Sequence, residues 1–398
     1  MLRFTTAGES HGQALVVILE GMVAGLSLRA DQVNAELARR QMGYGRGSRM
    51  QIEKDTAGFL SGVRAGETIG SPIAMLVENR DWKNWSAIMD PAPLDTDKGT
   101  RERAVTRPRP GHADLTGALK YDRADARDIL ERASARETTA RVAAGAVCRV
   151  FLREFGVEIG SHLVHLGGIE AALPHTMPAD INALADQSPL RTLDADAERR
   201  MIERIDAIKR EGNTLGGIIE VVAVGLPVGL GSHVSWDRKL DGRLAGAMLS
   251  IPAIKGVEIG MGFETARRSG AEVHDEIEVA PGLSRTGNFR RRTNRAGGLE
   301  GGMTTGEPLV IRVAMKPLST LMRPLATVDL TTGAPAAAVA ERSDVTAVPA
   351  MGVVAEAMIA WVLAAAFLEK FGGDSLEETR RNWTGYLENL GGGSKGTE

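Results

Sequence analysis

The chain has 398 residues, 25% of them charged and 43% hydrophobic, with 48 lysines and arginines against 51 aspartates and glutamates, for a formal net charge of −3. That balance excludes a charge-driven disordered chain and a generally basic nucleic-acid binder, and the length suffices to bury a large core. One cysteine, Cys148, excludes an intrachain disulfide and points to a reducing compartment.

Read from the N-terminus, "MLRFTTAGESHG" lacks the apolar core of a signal peptide and leaves room for a short strand over 2–6. Apolar β-branched runs predict strands at 14–21 and 72–79, with a helix at 30–41 between them. A long helical pattern covers 125–156. A strand at 158–168, a helix at 194–212, a strand at 217–225, a helix at 237–250 and a strand at 308–316 follow. The run from Ala350 to Leu368, "AMGVVAEAMIAWVLAAAFL", is long enough to cross a bilayer. Glu356 interrupts it and alanine dominates it, so it reads as a helix buried on nearly every side, in a core or a subunit interface. Lys370 in its last turn and Gly372-Gly373 as C-cap end it. The elements mix without regular βαβ alternation, which predicts an α+β fold. The expected organisation is one domain over 1–373 and a helical or flexible tail over 374–398. A soluble cytoplasmic protein with no membrane, nucleic-acid or metal partner is expected.

Arginine is placed unevenly. Arg39, Arg40, Arg46 and Arg49 share one segment, Arg101, Arg103, Arg107 and Arg109 a second, and Arg290, Arg291, Arg292 and Arg295 a third. In a near-neutral chain such clusters suit a small polyanion, because the guanidinium fork binds phosphate and carboxylate bidentately. Many of the 47 glycines stand beside arginine, serine or histidine, where they let backbone N–H groups approach a ligand.

"GESHG" at 8–12 fits the G-x-S-x-G pattern of a nucleophile elbow. An elbow needs a helix after its serine, and "GQALVVILEG" is a strand pattern; the few residues ahead of Ser10 also leave no room for the usual sheet. The hydrolase reading fails on context. "TRPRPGHAD" places His112 after Gly111, with Arg107 and Arg109 on a path that prolines keep extended. In "ERASARET", Arg132 and Arg136 stand one turn apart, which predicts that both project from one helix face with Ser134 between them.

Together these stretches resemble the chorismate synthase family. "GESHGQALVVILEGMVAG" (8–25), "ERASARETTARVAAGAV" (131–147) and "RSDVTAVPAMGVVAE" (342–356) match its three signatures in order. Intervening segments such as "RRQMGYGRGSRM", "TNRAGGLEGGMTTGEP" and "MKPLSTL" are similar as well, so the resemblance runs to about Gly373. It implies a β-α-β sandwich of antiparallel sheets enclosed by helices, assembled as a homotetramer. It also implies the anti 1,4-elimination of phosphate from 5-enolpyruvylshikimate 3-phosphate to give chorismate, the last step of the shikimate pathway. Reduced FMN is required, although no net redox change occurs.

Carried over residue by residue, the resemblance implies a substrate clamp of Arg40, Arg46, Arg49, Arg109 and Arg136, assisted by backbone at Ala135. His11, with Ser10, would face the departing phosphate, and His112 the pyrimidine edge of the flavin, with Ser134 beside them. Asp344 would relay the ring proton. FMN contacts fall on Arg132, Ala133, Ser134, Pro252, Ala253, Gly301, Lys316, Pro317, Leu318, Ser319, Thr320 and Arg342. At position 252 family members often carry a side-chain amide; Pro252 removes that amide and a backbone donor. The resemblance also assigns Arg40 and Arg46 to NADP. Since these arginines would hold substrate, NADPH is expected only as an indirect reductant, through an external flavin reductase. No separate dinucleotide fingerprint stands in the chain: "GLGSHV" lacks the last glycine of G-x-G-x-x-G.

Overall fold

The computed structural model of the chain describes residues 1–47, 54–93, 103–340 and 344–391. Two antiparallel sheets face each other across a helical layer. The first has strand order Arg3–Ala7, Ala14–Glu20, Ile73–Glu78, Ala57–Phe59. The second has order Ile254–Ile259, Leu309–Met315, Gly217–Val224, Glu158–Leu166, Ile169–Glu170. Side-chain alternation sets the inward faces: Leu15, Val17 and Leu19 are buried on one sheet, and Leu309, Ile311 and Val313 on the other.

The helix Thr138–Arg153 packs on the strand Ala14–Glu20, and the helix Val348–Phe371 packs on Glu158–Leu166 and Gly217–Val224. The two helices lie against each other, and Gly145 permits their approach, since a Cβ there would come 2.4 Å from the Ala357 Cβ. Phe151, Phe155 and Phe367 interlock at one end of this layer, with centroid separations of 4.4–5.7 Å. The helix Ala30–Gln41 also packs on both central helices. Further helices lie outside: Ile181–Ala185 covers the outer face of the five-stranded sheet at Val222. The α+β expectation holds. The apolar segment expected to be buried is the core helix itself, with 89% of its most apolar window inside the protein.

The five strands predicted for the two sheets end within two residues of their expected limits. Ile254–Ile259 was not legible, because Lys255 and Gly256 interrupt its apolar pattern and the ladder shifts register there. The largest departure is the helix expected over 125–156. It is two helices, Arg127–Ala133 and Thr138–Arg153, separated at Ser134, whose backbone is extended (φ −65°, ψ 144°). The Ser134 side chain accepts from the Arg136 N–H and starts a new turn at Ala135–Glu137. The break undoes the expected shared face of Arg132 and Arg136, which point in different directions.

Beyond Gly373, the helix Leu376–Gly391 packs back on the body: Trp383 meets Phe155, and Tyr386 meets Phe371, at 5.5 Å between centroids in each case.

Candidate functional site

A cavity of about 570 Å³ opens where several chain segments converge. They are the turn at Gly8–Gly12, the end of the helix Ala30–Gln41, the loop at 109–113, the break at Ser134, the loop at 316–320 and the start of the helix Val348–Phe371. Leu130, Ile251, Met315, Leu318, Met351 and Val354 give it an apolar wall. Among the described residues, its lining carries the cations Arg40, Arg46, Arg109 and Lys316 against one carboxylate, Asp344. This is the composition expected of a polyanion site with an apolar surface for a ring.

Each cation is held from behind. Arg40 is 5% exposed; its Nε and Nη2 donate to Thr138 Oγ1, and Nη2 also donates to the Ala135 carbonyl at 2.9 Å. Nη1 lies 3.5 Å from Asp55 Oδ2 and has no hydrogen-bond acceptor among the described residues. Burial pushes the Arg40 pKa down to about 9, and the Asp55 carboxylate only partly opposes this. The Arg46 Nε is 3.2 Å from Asp344 Oδ2, while Asp344 Oδ1 accepts the Gly47 N–H at 2.5 Å. Asp344 thus fastens the loop after Ala30–Gln41 instead of capping the helix that begins at Val348.

Gly111, at φ +80°, makes the turn that carries Arg109 and His112 into the cavity. Both converge on Asp114, which is fully buried: Arg109 Nε donates to Oδ2 at 2.8 Å, and His112 Nδ1 lies 2.5 Å from Oδ1. Burial alone would raise the Asp114 pKa, but bonds from His112 and Arg109 outweigh it and hold the group well below the usual carboxylate range. Arg109 Nη1 also donates to Thr320 Oγ1 at 3.0 Å, tying this loop to 316–320. Lys316 donates to the Gly111 carbonyl at 2.5 Å, and burial, then repulsion from Lys255, lowers its pKa. Ala253 adopts a left-handed conformation (φ +69°), and its carbonyl accepts the Lys316 N–H at 3.0 Å.

On the opposite side the Gly8–Gly12 turn joins two antiparallel strands, so Ser10 precedes no helix. Ser10 is 3% exposed, and its N–H donates to the Glu131 carbonyl at 2.9 Å. His11 Nδ1 lies 3.0 Å from both Glu131 carboxylate oxygens, and its ring stacks on Trp85 at 3.9 Å.

The cavity lining gathers Ser10, His11, Arg40, Arg46, Arg109, His112, Ala133, Ser134, Ala135, Pro252, Ala253, Lys316, Pro317, Leu318, Ser319, Thr320 and Asp344. Three expected residues do not line it. Arg132 donates to the Thr6 and Gly8 carbonyls and borders a neighbouring hollow. Arg136 turns inward to Asp55 at 2.5 Å and Asn79 at 2.9 Å. Gly301 lies in the turn between the paired strands Leu299–Glu300 and Met303–Thr304, away from the cavity. Arg49 and Arg342 lie outside the described residues.

Sequence reasoning missed the carboxylates behind the cations. Asp114, two residues after His112, carried a local H-x-D signal. Asp55, Asn79, Trp85 and Glu131 carried none, because Asp55 and Asn79 meet Arg136, and Trp85 and Glu131 meet His11, only through long-range folding.

Known proteins can be set beside this geometry. A family profile described as chorismate synthase matches residues 2–368. The chorismate synthase of Symbiobacterium thermophilum is 58% identical over 392 residues, covering 98% of this chain and 99% of that protein. That of Geobacter metallireducens is 58% identical over 395 residues, at 98% and 99% coverage. A solved structure, "Crystal Structure of Chorismate Synthase", superposes with a TM-score of 0.78 at 44% identity, covering 98% of both chains. The chain belongs to the chorismate synthase family.

Proposed function

We propose that this chain converts 5-enolpyruvylshikimate 3-phosphate into chorismate by 1,4-elimination, with reduced FMN bound in the same cavity. The observation that carries the reading is the cation excess around Arg40, whose buried Nη1 has no hydrogen-bond acceptor among the described residues. A phosphate or carboxylate there would supply the acceptor and offset the burial that lowers this guanidinium's pKa.

The residues present suit a flavin. Lys316 and the 316–320 loop would hold its phosphate, and Ile251, Pro252, Ala253 and Leu318 form an apolar wall for a ring. Pro252 would contribute its ring or carbonyl only. The bound reduced flavin supplies electron density that eases departure of phosphate. In the elimination the C–O bond to phosphate breaks, the ring double bond shifts, and the electron pair of the lost C–H bond forms the second double bond.

The chain's own groups bind, orient and move protons. Arg40, Arg46 and Arg109 clamp the anionic groups, with Arg49 assigned to the same clamp. His11 delivers a proton or a charge-assisted hydrogen bond to the leaving phosphate, help worth roughly 10²–10⁴-fold in rate. Ser10 supports that turn. His112, oriented by Asp114, faces developing negative charge, and Asp344 takes the ring proton on its way to solvent. Arg136, turned to Asp55, acts by fixing the wall beneath Arg40. Arg132, Gly301 and Arg342 remain assigned to FMN by family likeness, outside the cavity lining described above. Residues 1–373 act as one catalytic domain in the cytoplasm. Exposed Trp236, Phe263, Ile277 and Val279 offer apolar surface for assembly into a homotetramer.

The test is anaerobic phosphate release from 5-enolpyruvylshikimate 3-phosphate. Release with reduced FMN, and none with oxidised FMN plus NADPH unless a flavin reductase is added, is expected. Equal release with oxidised FMN alone rejects the reading.

A further inference from the structure

The turn that carries Ser10 and His11 is gripped by one buried residue from a distant part of the chain. Glu131, 2% exposed, lies in the last turn of the helix Arg127–Ala133. Its backbone carbonyl accepts the Ser10 N–H at 2.9 Å, and its Oε2 accepts the His11 N–H at 2.9 Å. Both carboxylate oxygens lie 3.0 Å from His11 Nδ1, and Arg127 Nη1 donates to Oε1 at 3.0 Å. Trp85 stacks on the imidazole face at 3.9 Å and 29°, and is itself anchored by donating from Nε1 to Asp81 at 3.0 Å. The guanidiniums of Arg103 and Arg127 lie 4.6 and 5.1 Å from the Trp85 ring centroid. The imidazole is therefore fixed at its edge by a carboxylate and at its face by an indole.

We infer that Glu131 is the positioning residue for His11, setting its tautomer and aiming its other nitrogen for proton delivery. An ionised carboxylate only accepts hydrogen bonds, so Nδ1 must carry the hydrogen between the two groups. Burial works against ionisation of Glu131, but the bonds from His11 and Arg127 outweigh it and lower its pKa. With Nδ1 held as a donor, gain and loss of a proton occur at Nε2. An imidazolium formed there keeps its countercharge at Nδ1. This is the division of labour of an acid–base histidine and its orienting carboxylate. It rests on the proposed role of His11 as the acid facing the leaving phosphate.

The test uses the FMN-loaded protein and two readouts. Nitrogen-15 spectra of histidine-labelled protein, with His11 assigned by comparison with His11→Ala, should show Nδ1 protonated in the wild type. In Glu131→Gln that signature should weaken, because the amide keeps one acceptor but loses the countercharge, and kcat should fall on the order of 10²-fold or more with KM changed less than about threefold. Glu131→Asp, which keeps the charge, should recover part of the rate. In a His11→Ala background Glu131→Gln should cost little further in rate, because the catalytic part of its role runs through the His11 imidazole. An unchanged tautomer and rate in Glu131→Gln overturns the inference. So does an equal rate loss in the His11→Ala background, which would mark a purely structural role. Wild-type turnover in His11→Ala would overturn the catalytic reading of His11, and this inference with it; the tautomer signal would then show the contact intact and the chemistry misassigned.

Discussion

Arg39 and Arg40 are neighbours at the end of one helix, and the protein treats them in opposite ways. Arg39 faces the body, where each of its three nitrogens has a carboxylate: Nε donates to Asp186, Nη1 to Glu36 and Glu356, and Nη2 to Glu356. Burial lowers its pKa, but the Glu356 and Glu36 carboxylates outweigh this and pull it above the ordinary arginine value. Arg40 faces the cavity with a neutral hydroxyl, a carbonyl and one carboxylate at 3.5 Å, and burial wins. Successive helical residues diverge by about 100°, so one sequence step separates a structural charge from a binding charge. Within this pair, Arg39 is saturated by the fold, and Arg40 keeps one nitrogen without an acceptor among the described residues.

The largest effect should come from breaking the saturated side. Glu356, wholly buried in the core helix, accepts from Arg39, Arg149, Arg191, Ser161 and Asn182. Glu356→Gln strips the countercharge from two buried guanidiniums, Arg149 and Arg191, and from the partly buried Arg39, and should destabilise the protein by about 3–5 kcal/mol in urea unfolding. A midpoint equal to the wild type would show that Glu36 and Asp186 suffice. The same variant should flatten the acid limb of stability. Burial alone would raise the Glu356 pKa, but the arginines outweigh it and hold it far below the ordinary glutamate range. A lowered folded pKa adds stability that is fully present above about pH 4.5 and is lost as pH falls below it.

Removing the unsaturated charge should do the reverse. Arg40→Met keeps the length and apolar stem of the side chain and leaves Asp55 paired with Arg136 at 2.5 Å. Its stability should stay within about 1.5 kcal/mol of the wild type, since a buried and incompletely paired charge adds little to folding. Its kcat/KM for phosphate elimination should fall about 10²-fold or more, as for loss of a charge-assisted contact to substrate. A large loss of stability with unchanged kcat/KM would place Arg40 with Arg39, as a structural residue.

How much of this was legible in the sequence follows from the range of each interaction. The sheets and the core helix were readable because alternation and unbroken apolarity are local patterns, carried by Leu15–Leu19, Leu309–Val313 and 350–368. Arg40, Arg46 and Arg109 stood out because arginines cluster and glycines mark their loops, but the cluster at 290–295 misled: Arg290 and Arg292 pair with Glu278, and Arg291 with Glu300, away from the cavity. The split at Ser134 was hidden, since "ERASARETTARV" has good helical periodicity and only the Ser134 cap and the demands of the cavity interrupt it. The partners of the cations were hidden for a different reason. Asp55 meets Arg136 from 81 positions away, Glu131 meets His11 across 120 and Glu356 meets Arg39 across 317. Nothing near Glu356 in the sequence separates it from a stray charge in an apolar helix.

The smallest effect tests the deficit directly, without substrate or flavin. If the cavity is short of negative charge, inorganic phosphate should bind the folded chain and stabilise it. At ten times its dissociation constant the gain is RT ln 11, about 1.4 kcal/mol. In a chain of this size that should raise the melting temperature by about 1–3 °C. Sulfate should act similarly, and chloride at equal ionic strength should not, which separates site binding from screening. Arg40→Met should lose most of the phosphate shift, whereas Glu356→Gln should melt lower and still shift by the same amount, because its lesion lies behind Arg39. Loss of the shift in Glu356→Gln would show that the two faces of the helix are coupled. An equal shift in wild type and Arg40→Met would move the anion site to other cations of the cavity, Arg109 or Lys316.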